Sequence, residues 1–262
     1  MTTPKVLILR TAGTNCDYET RYAFEKAGAK VDAVHINILL ANKKLLKEYH
    51  ILVLPGGFTY GDDVSAGKIL ANQIKYNFEE DIKTFINENK LILGICNGFQ
   101  VLVKAGLLPS INGYNQEATL TFNDSNKFED RWVYLKICSS KSFFINDENI
   151  STIYLPIAHG EGKFIAKDES ILNKIMNNHQ VVIKYVNERG EEIGYPWNPN
   201  GSVQNIAGIC DPTGQILGIM PHPERHVEST QHPRWTRNGL KEFGDGFIIF
   251  KNAVSYVKSI FS

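Results

Sequence analysis

A cysteine lies between two glycines in LILGICNGFQ, which covers residues 91 to 100. The short apolar run before Cys96 is typical of a strand in a parallel sheet, and the residues after it have helical spacing and a glycine stop. Cys96 is therefore predicted at a strand-to-helix turn, where Gly94 and Gly98 give the G-x-C-x-G form of a nucleophile elbow. The alternative is a buried cysteine that packs as a small hydrophobic side chain.

A cysteine nucleophile needs a base, and GIMPHPERH offers one directly after the last predicted strand. Pro221 and Pro223 favour an extended backbone around His222, and alternation then places His222 and Glu224 on one face. A carboxylate there can orient the imidazole and stabilise its cationic form. A single histidine is more often structural, so the prediction depends on the combination of His222, Glu224 and the elbow cysteine.

Acyl transfer also needs amide donors for an oxyanion. In LPGGFTYGDD, the strand that ends at Leu54 opens into Gly56 and Gly57, whose flexible backbone can direct an N–H towards the mouth of the sheet. The amide of Asn97, at the helix start, is the second candidate donor. An ordinary loop is the alternative for the two glycines. A nucleotide site is disfavoured, because the loop lacks the Lys-Ser/Thr ending of a P-loop and no G-x-G-x-x-G follows the first strand.

Metal binding is a competing use of the histidines in this sequence. Imidazole and carboxylate groups, which can bind zinc, occur at His222, Glu224, His226, His232, His159 and Glu161. The first four lie in a proline-rich segment without a helical i, i+4 pair. We therefore predict no metal site, and we expect the activity to survive a strong chelator.

The composition of the 262-residue chain indicates a globular protein with a large core, since 43% of its residues are hydrophobic. Its 28 basic and 28 acidic residues balance, and no basic run interleaves with aromatic residues, so nucleic acid is not an expected partner. No apolar stretch approaches the length needed to span a bilayer, so a membrane is not expected either. The start MTTPKVLILR lacks the features of a signal peptide, and a cytoplasmic location is expected. The four cysteines are far apart and form no C-x-x-C pair, which disfavours disulfides: Cys16, Cys96, Cys138 and Cys210.

Strand and helix patterns alternate over the first hundred residues. KVLIL, KVDAVHI and ILVLPGG predict strands, whereas CDYETRYAFEKAG, LLANKKLLKEY and KILANQIKYNFEEDIKTFINEN predict helices. Beyond Gly106, strand-like segments dominate (EATLTF, RWVYLKIC, TIYLPIAHG and QVVIKYV), with one helix near ESILNKIMNN. A hairpin at DPTG and a final helix at DGFIIFKNAVSYVKSI follow. We predict one α/β domain over residues 1–262, a doubly wound, mostly parallel sheet flanked by helices with an antiparallel extension.

The pattern GICNGFQ with a downstream PHPER resembles the triad-type, or class I, glutamine amidotransferases, whose fold is flavodoxin-like. A longer series of segments resembles the glutaminase subunits of phosphoribosylformylglycinamidine synthase: PGGFTYGDDVSAGKI, GICNGFQVL, LPIAHGEGKF, NPNGS, IAGICD and GIMPHPERH. HGEG and NPNGS separate this branch from relatives that make GMP, CTP, carbamoyl phosphate or anthranilate. The chain is longer than the compact members of the branch, with extra residues around 139–151 and after 226.

The resemblance implies that glutamine is hydrolysed to glutamate and ammonia through a thioester. It makes Cys96 the nucleophile, His222 the general acid and base, and Glu224 the residue that orients His222. The amides of Gly57 and Asn97 would be the oxyanion donors.

The resemblance also implies that Gln100 and the backbone near His159 and Gly160 hold the amino-acid end of glutamine, although a helix-surface role is the alternative for Gln100. The expected partner is the synthetase subunit, with or without a small bridging subunit. No cofactor is expected in this chain, and ATP and magnesium are expected in the synthetase. The glycines of LPGGFTYGDD predict a mobile loop that a partner would order. A stand-alone cysteine hydrolase and a catalytically silent subunit remain the alternatives.

Overall fold

A nine-stranded mixed sheet forms the centre of the molecule in a computed structural model, which describes residues 2–145 and 150–261. In chain order the strands are β1 (Lys5–Arg10), β2 (Lys30–His35), β3 (Ile51–Leu54), β4 (Leu91–Ile95), β5 (Ala118–Thr121), β6 (Glu129–Ile137), β7 (Thr152–His159), β8 (Lys163–Ala166), β9 (Val181–Val186), β10 (Ile206–Cys210) and β11 (Ile216–Ile219). The sheet order is β2-β1-β3-β4-β11-β10-β9-β6-β7, and β5 pairs with β8 in a separate two-stranded sheet.

The helices are α1 (Asp17–Lys26), α2 (Ile36–Ala41), α3 (Lys68–Asn87), α4 (Asn97–Lys104), α5 (Glu169–Asn177), α6 (Trp235–Asn238) and α7 (Phe247–Ile260). The predicted helix LLANKKLLKEY is instead α2 followed by a 3-10 turn at Lys43–Glu48. The break falls at Asn42, whose φ of −141° is not helical. An asparagine side chain competes for backbone hydrogen bonds and therefore favours helix ends. Within the described residues, none of the helices combines the length and apolar character needed to cross a membrane.

The doubly wound parallel half of the sheet is confirmed. Strands β2, β1, β3, β4 and β11 are parallel neighbours. The chain moves in one direction along the sheet from β1 to β2 and in the other from β3 to β4. Right-handed crossovers therefore place α1 and α3 on opposite faces. The C-terminal helix α7 packs beside α1, where Phe24 and Phe250 meet edge to face with ring centres 5.0 Å apart.

The antiparallel extension is also confirmed, and it continues the main sheet. The predicted hairpin joins β10 to β11, and β10, β9, β6 and β7 follow as antiparallel neighbours. Sheet order places β7 far from β4, yet the carbonyl oxygen of Ala158 in β7 lies 3.7 Å from Sγ of Cys96. The extension must therefore curl back across the carboxyl ends of the parallel strands, in the sense in which large sheets coil. Of the stretch 139–151, residues 146–149 lie outside the described part of the chain.

Candidate active site

The predicted strand-to-helix turn at Cys96 is confirmed. Cys96 directly follows β4 and is the N-cap of α4, with a φ of 50° and a ψ of −104°. A non-glycine residue with such a backbone is rare, and it costs on the order of 1–3 kcal/mol unless its surroundings hold it there. The Cys96 amide donates a hydrogen bond to the Ile219 carbonyl in β11 at 2.7 Å. This fixed, strained turn holds the thiol at the carboxyl edge of the sheet.

The two glycines around Cys96 are required by the close packing of α4. A Cβ at Gly98 would lie 1.9 Å from the carbonyl oxygen of Leu54, and one at Gly94 would lie 2.7 Å from the carbonyl oxygen of Gly98. No side chain fits at either distance. The G-x-C-x-G pattern is therefore a packing requirement between α4 and strands β3 and β4 as well as a requirement of the turn.

His222 and Glu224 form a buried pair. Nδ1 of His222 lies 2.6 Å from Oε1 of Glu224, and the His222 amide donates to the Pro156 carbonyl in β7 at 2.8 Å. The backbone at His222 is extended, as predicted, but residues 223–225 form a 3-10 turn. The two side chains thus meet through a tight turn, and the predicted alternation along an extended segment is not the reason for their proximity.

Opposing influences act on the pKa of His222. Burial lowers the pKa, whereas the charge of Glu224 and the thiols of Cys96 and Cys16 raise it, and the result lies well above the usual value. The pair therefore favours the imidazolium form. Nε2 of His222 is buried without a hydrogen-bond partner among the described residues. That nitrogen is free to exchange a proton with a reacting group.

Two backbone amides are available as oxyanion donors. Neither the Gly57 amide nor the Asn97 amide donates to an acceptor among the hydrogen bonds of the described residues. Gly57 has a φ of 153°, and a Cβ there would lie 2.6 Å from the carbonyl oxygen of Gly13. A Cβ on the neighbouring Gly56 would lie 2.9 Å from Cε1 of His222, so the turn packs directly on the base. The donor role of the two amides stays a prediction.

Comparison with known proteins identifies the family of the chain. Residues 3–257 match the family model of the CobB/CobQ-like glutamine amidotransferase domain. The chain belongs to this glutamine amidotransferase family. A curated relative, phosphoribosylformylglycinamidine synthase subunit PurQ of Dehalococcoides mccartyi, is 48% identical over 99% of this chain and 100% of its own length. The same-named subunit of Archaeoglobus fulgidus is 42% identical over 98% of each chain.

Solved structures agree with this family. The chain superposes on a chain of the structure of PurLQS from Thermotoga maritima with a TM-score of 0.74 and 31% identity, covering 98% of this chain and 100% of that one. A glutamine amidotransferase from the same organism has a TM-score of 0.54 at 17% identity, with 100% of this chain and 97% of that chain covered, and it supports the fold alone.

The candidate oxyanion loop, residues 55–67, is anchored to α4 at two points. The Asn97 side chain accepts a hydrogen bond from the Thr59 hydroxyl at 2.7 Å. Nζ of Lys104, in the buried helix α4, donates to the Ala66 carbonyl at 2.6 Å. The expectation of a loop without anchors is therefore wrong. The glycines in the loop allow tight turns and close contacts between backbone segments. Polar side chains of α4 then fix the loop backbone by hydrogen bonds.

Gln100 is buried, so the helix-surface alternative is wrong. Its Nε2 donates to the Glu161 carbonyl at 2.6 Å and its Oε1 accepts from Nδ2 of Asn97 at 2.9 Å. Gln100 thereby connects the start of α4 to the HGEG segment. Its contact with glutamine stays a prediction, and making that contact would require one of these two bonds to be exchanged.

His159 and Gly160 lie at the end of β7, on the wall of the site. Nδ1 of His159 faces Oδ1 of Asn123 at 3.2 Å, and Nε2 is buried without a partner among the described residues. Burial, followed by the charge of His222, lowers the pKa of His159 to about 3, so its ring is neutral. The Gly160 carbonyl accepts from the Asn123 amide at 2.9 Å. The role of both residues in holding glutamine stays a prediction.

Sequence reasoning missed two residues beside the base. Sγ of Cys16 lies 4.0 Å from Nδ1 of His222, and Nη2 of Arg225 donates to that sulfur at 3.2 Å. A usable signal was present, because Cys16 follows β1 and the carboxyl ends of parallel strands collect at one edge of the sheet.

The histidines considered above as alternative metal ligands do not gather into one site among the described residues. Nδ1 of His226 instead lies 2.8 Å from the Tyr154 carbonyl oxygen. Among the described residues, one group has ligand atoms close enough to share an ion, within 4.8 Å of one another: Cys16, His222 and Glu224. The guanidinium of Arg225 already occupies the sulfur of this group, and a fixed positive charge there disfavours a cation. The absence of a metal from the reaction stays an expectation.

Proposed function

We propose that the chain is the glutaminase subunit of a phosphoribosylformylglycinamidine synthase, with residues 1–262 as one amidotransferase domain in the cytoplasm. The main support for the proposal is the buried His222–Glu224 pair beside the strained Cys96. The chain also matches subunits of that name over nearly its full length. These residues supply a nucleophile, a base and an orienting carboxylate, which is the set that acyl transfer through a thioester requires.

The first half of the reaction forms the thioester. The Cys96 thiol gives its proton to Nε2 of His222, and the sulfur adds to the side-chain amide carbon of glutamine. The amides of Gly57 and Asn97 hold the resulting oxyanion. His222 then returns the proton to the departing nitrogen. Ammonia leaves, and a glutamyl thioester remains on the sulfur.

The second half releases glutamate. His222 takes a proton from a water molecule, the hydroxide adds to the thioester carbon, and the sulfur leaves and regains its proton from His222. Glu224 keeps its charge throughout and stabilises the imidazolium that forms in each half. The raised pKa of His222 is consistent with this role.

The ammonia is consumed by an ATP-dependent synthetase subunit, which converts formylglycinamide ribonucleotide to its amidine in purine biosynthesis. ATP and magnesium act in that subunit, and a small bridging subunit completes the assembly where one is present. The relative solved as PurLQS supports an assembled state. Glutamine binds to this chain, and the ammonia released there passes to the synthetase subunit.

The test is a Cys96→Ala variant in the complex reconstituted with its synthetase. We expect glutamine-dependent synthesis to be lost and synthesis from added ammonium salt to remain, because the variant lacks only the ammonia source. Cys138→Ala, which removes a half-buried thiol in another part of the sheet, is the matched control and should retain both activities.

Each alternative has its own outcome in that experiment. A stand-alone hydrolase releases glutamate but never supports synthesis by the synthetase. A silent subunit supports synthesis from ammonium salt and releases no glutamate even as the wild-type chain. Retained glutamate release by Cys96→Ala would contradict the assignment of the nucleophile.

A further inference from the structure

Cys16 occupies a buried position next to the base. It directly precedes α1, is 1% exposed, and has its sulfur 4.0 Å from Nδ1 of His222. It is thus a second cysteine in contact with the reacting histidine, on the side of the ring that faces Glu224. The reaction derived above makes no use of this thiol.

Three parts of the site meet at Cys16. Its amide donates to the Gly56 carbonyl at 3.1 Å, which ties it to the oxyanion loop. Its sulfur accepts from Nη2 of Arg225 at 3.2 Å and lies 3.0 Å from Oδ1 of Asn15, towards which the S–H points. Both hydrogen-bonding capacities of the thiol are therefore in use.

The packing around the sulfur leaves little free space. A Cβ at Gly56 would lie 3.1 Å from the sulfur and 2.9 Å from Cε1 of the His222 ring. One hydrogen bond from Nδ1 of His222 to Glu224 fixes the direction of Nδ1 but leaves the tilt of the ring open. The contacts with Cys16 and Gly56 restrict that tilt.

The position of Arg225 gives Cys16 a second effect. Burial lowers the pKa of Arg225, but Cys16 and, after it, the carboxylate of Glu224 raise it, so the guanidinium lies within electrostatic reach of both groups. Oε2 of Glu224 is buried and has no partner among the described residues. Without the sulfur, the guanidinium would be free to turn to that oxygen and would compete with His222 for the carboxylate.

We propose that Cys16 is a positioning residue of the glutaminase reaction, which holds Arg225 away from Glu224 and fixes the tilt of the His222 ring. This inference rests on the proposed function. The charged or titratable groups near His222 are Glu224, Cys96, Cys16 and His159. Arg225 contacts the sulfur of Cys16, which keeps the guanidinium apart from Glu224.

The test compares Cys16→Ala and Cys16→Ser in the complex with the synthetase, by glutamate release over a range of pH. For Cys16→Ala we expect kcat to fall about tenfold to a hundredfold, because small displacements of a base have large effects, while KM changes little. The alkaline limb of the pH profile should move to lower pH, because Arg225 neutralises Glu224 and His222 loses its proton more readily. Cys16→Ser, whose hydroxyl can still accept from Arg225, should restore most of kcat and the position of the limb.

A double variant tests the competition directly. Adding Arg225→Met to Cys16→Ala removes the competing cation and should return the alkaline limb to its wild-type position. Arg225→Met alone, which keeps the thiol, should leave the limb in place or move it to higher pH. If Cys16→Ala does not fold, Arg225→Met alone provides the test. An alkaline limb that moves to lower pH in Arg225→Met would overturn the proposal.

The control is Cys210→Ala, which removes a buried thiol at the opposite edge of the sheet. It should lower the temperature of unfolding without moving the pH profile. If kcat and the limb of Cys16→Ala match those of the wild type, or if Cys210→Ala moves the limb equally, Cys16 has no positioning role. A wild-type complex that releases no glutamate would instead refute the proposed function.

Discussion

The charge state of His222 is decided by its immediate neighbours. Burial alone would leave a neutral ring, as it does at His159. The carboxylate of Glu224 at 2.6 Å reverses the direction, so two buried histidines in one site titrate far apart. A neutral His159 beside a cationic His222 avoids repulsion between two buried charges and leaves one proton-carrying group in the site.

At the residue scale, Glu224→Gln should lower kcat for glutamate release by less than His222→Ala does. Loss of the acid and base should cost about 10²–10⁴-fold, whereas the glutamine amide still orients the ring. The alkaline limb of the pH profile should also move to lower pH in Glu224→Gln, because the charge that raises the pKa of His222 is gone. Steady-state rates over a pH series measure both effects. Equal losses, or a larger loss for Glu224→Gln, would contradict this division of roles.

At the element scale, the close packing of α4 on the sheet makes Gly98 a sensitive position. In Gly98→Ala the new Cβ would lie 1.9 Å from the Leu54 carbonyl, and α4 must move. We expect the free energy of unfolding to fall by about 1–3 kcal/mol, as overpacked cores do, with loss of activity because α4 carries Asn97. Denaturant unfolding measures the change. Gly194→Ala, where a Cβ meets nothing within 4 Å, is the matched control, and an equal loss in that variant would refute the packing argument.

The end of β7 gives a second prediction at this scale, concerning stability and pH. The folded-state pKa of His159 is about 3 and its ordinary value is 6.5, so between these values the unfolded chain binds a proton that the folded chain does not. This term destabilises the protein as pH falls from 6.5 towards 3, by about 1.4 kcal/mol per pH unit. In His159→Gln the free energy of unfolding should therefore fall less steeply than in the wild type as the pH is lowered. Parallel stability curves for the two proteins would contradict a neutral, buried His159.

At the scale of the whole molecule, the curl of the antiparallel extension closes the site. The thiol of Cys96 and the ring of His222 are both buried, so movement of part of the wall would open a path for glutamine. The part of the oxyanion loop between its anchors at Thr59 and Ala66 is a candidate for that movement, because Val64 there has a φ of 74° and is 89% exposed. A β-branched residue in this conformation is strained and depends on its surroundings. A partner that contacts the loop can therefore alter access to the site.

We accordingly expect the isolated chain to hydrolyse glutamine poorly and to gain activity with a ligand-loaded synthetase. Displacement of one oxyanion donor alone costs about a hundredfold to a thousandfold in rate, which sets the scale of the gain. The measurement is glutamate production by the chain alone, then with the synthetase, and then with ATP and the ribonucleotide added. Full activity of the isolated chain, unchanged by partner or ligands, would mean that it works as an independent glutaminase.

The sequence by itself determined the features that depend on neighbouring residues in the chain. Alternating strands and helices predicted the parallel half, and G-x-C-x-G predicted the turn at Cys96, because periodicity and turn chemistry are local. The pairing of His222 with Glu224 was also predictable, since they are two positions apart in the chain, although a 3-10 turn brings them together. The family resemblance supplied the roles expected of these residues.

The tertiary structure alone decided which distant residues surround that pair. Cys16 and His222 are 206 positions apart, and they meet because β1 and β11 are parallel strands whose carboxyl ends reach the same edge. The position of β7 over Cys96 depends on the curl of the whole sheet, which no local pattern encodes. The oxyanion loop looked unanchored because its anchors, Asn97 and Lys104, belong to a helix that follows it by some thirty residues. Contacts between distant segments are set by tertiary packing, and local sequence patterns carry no information about it.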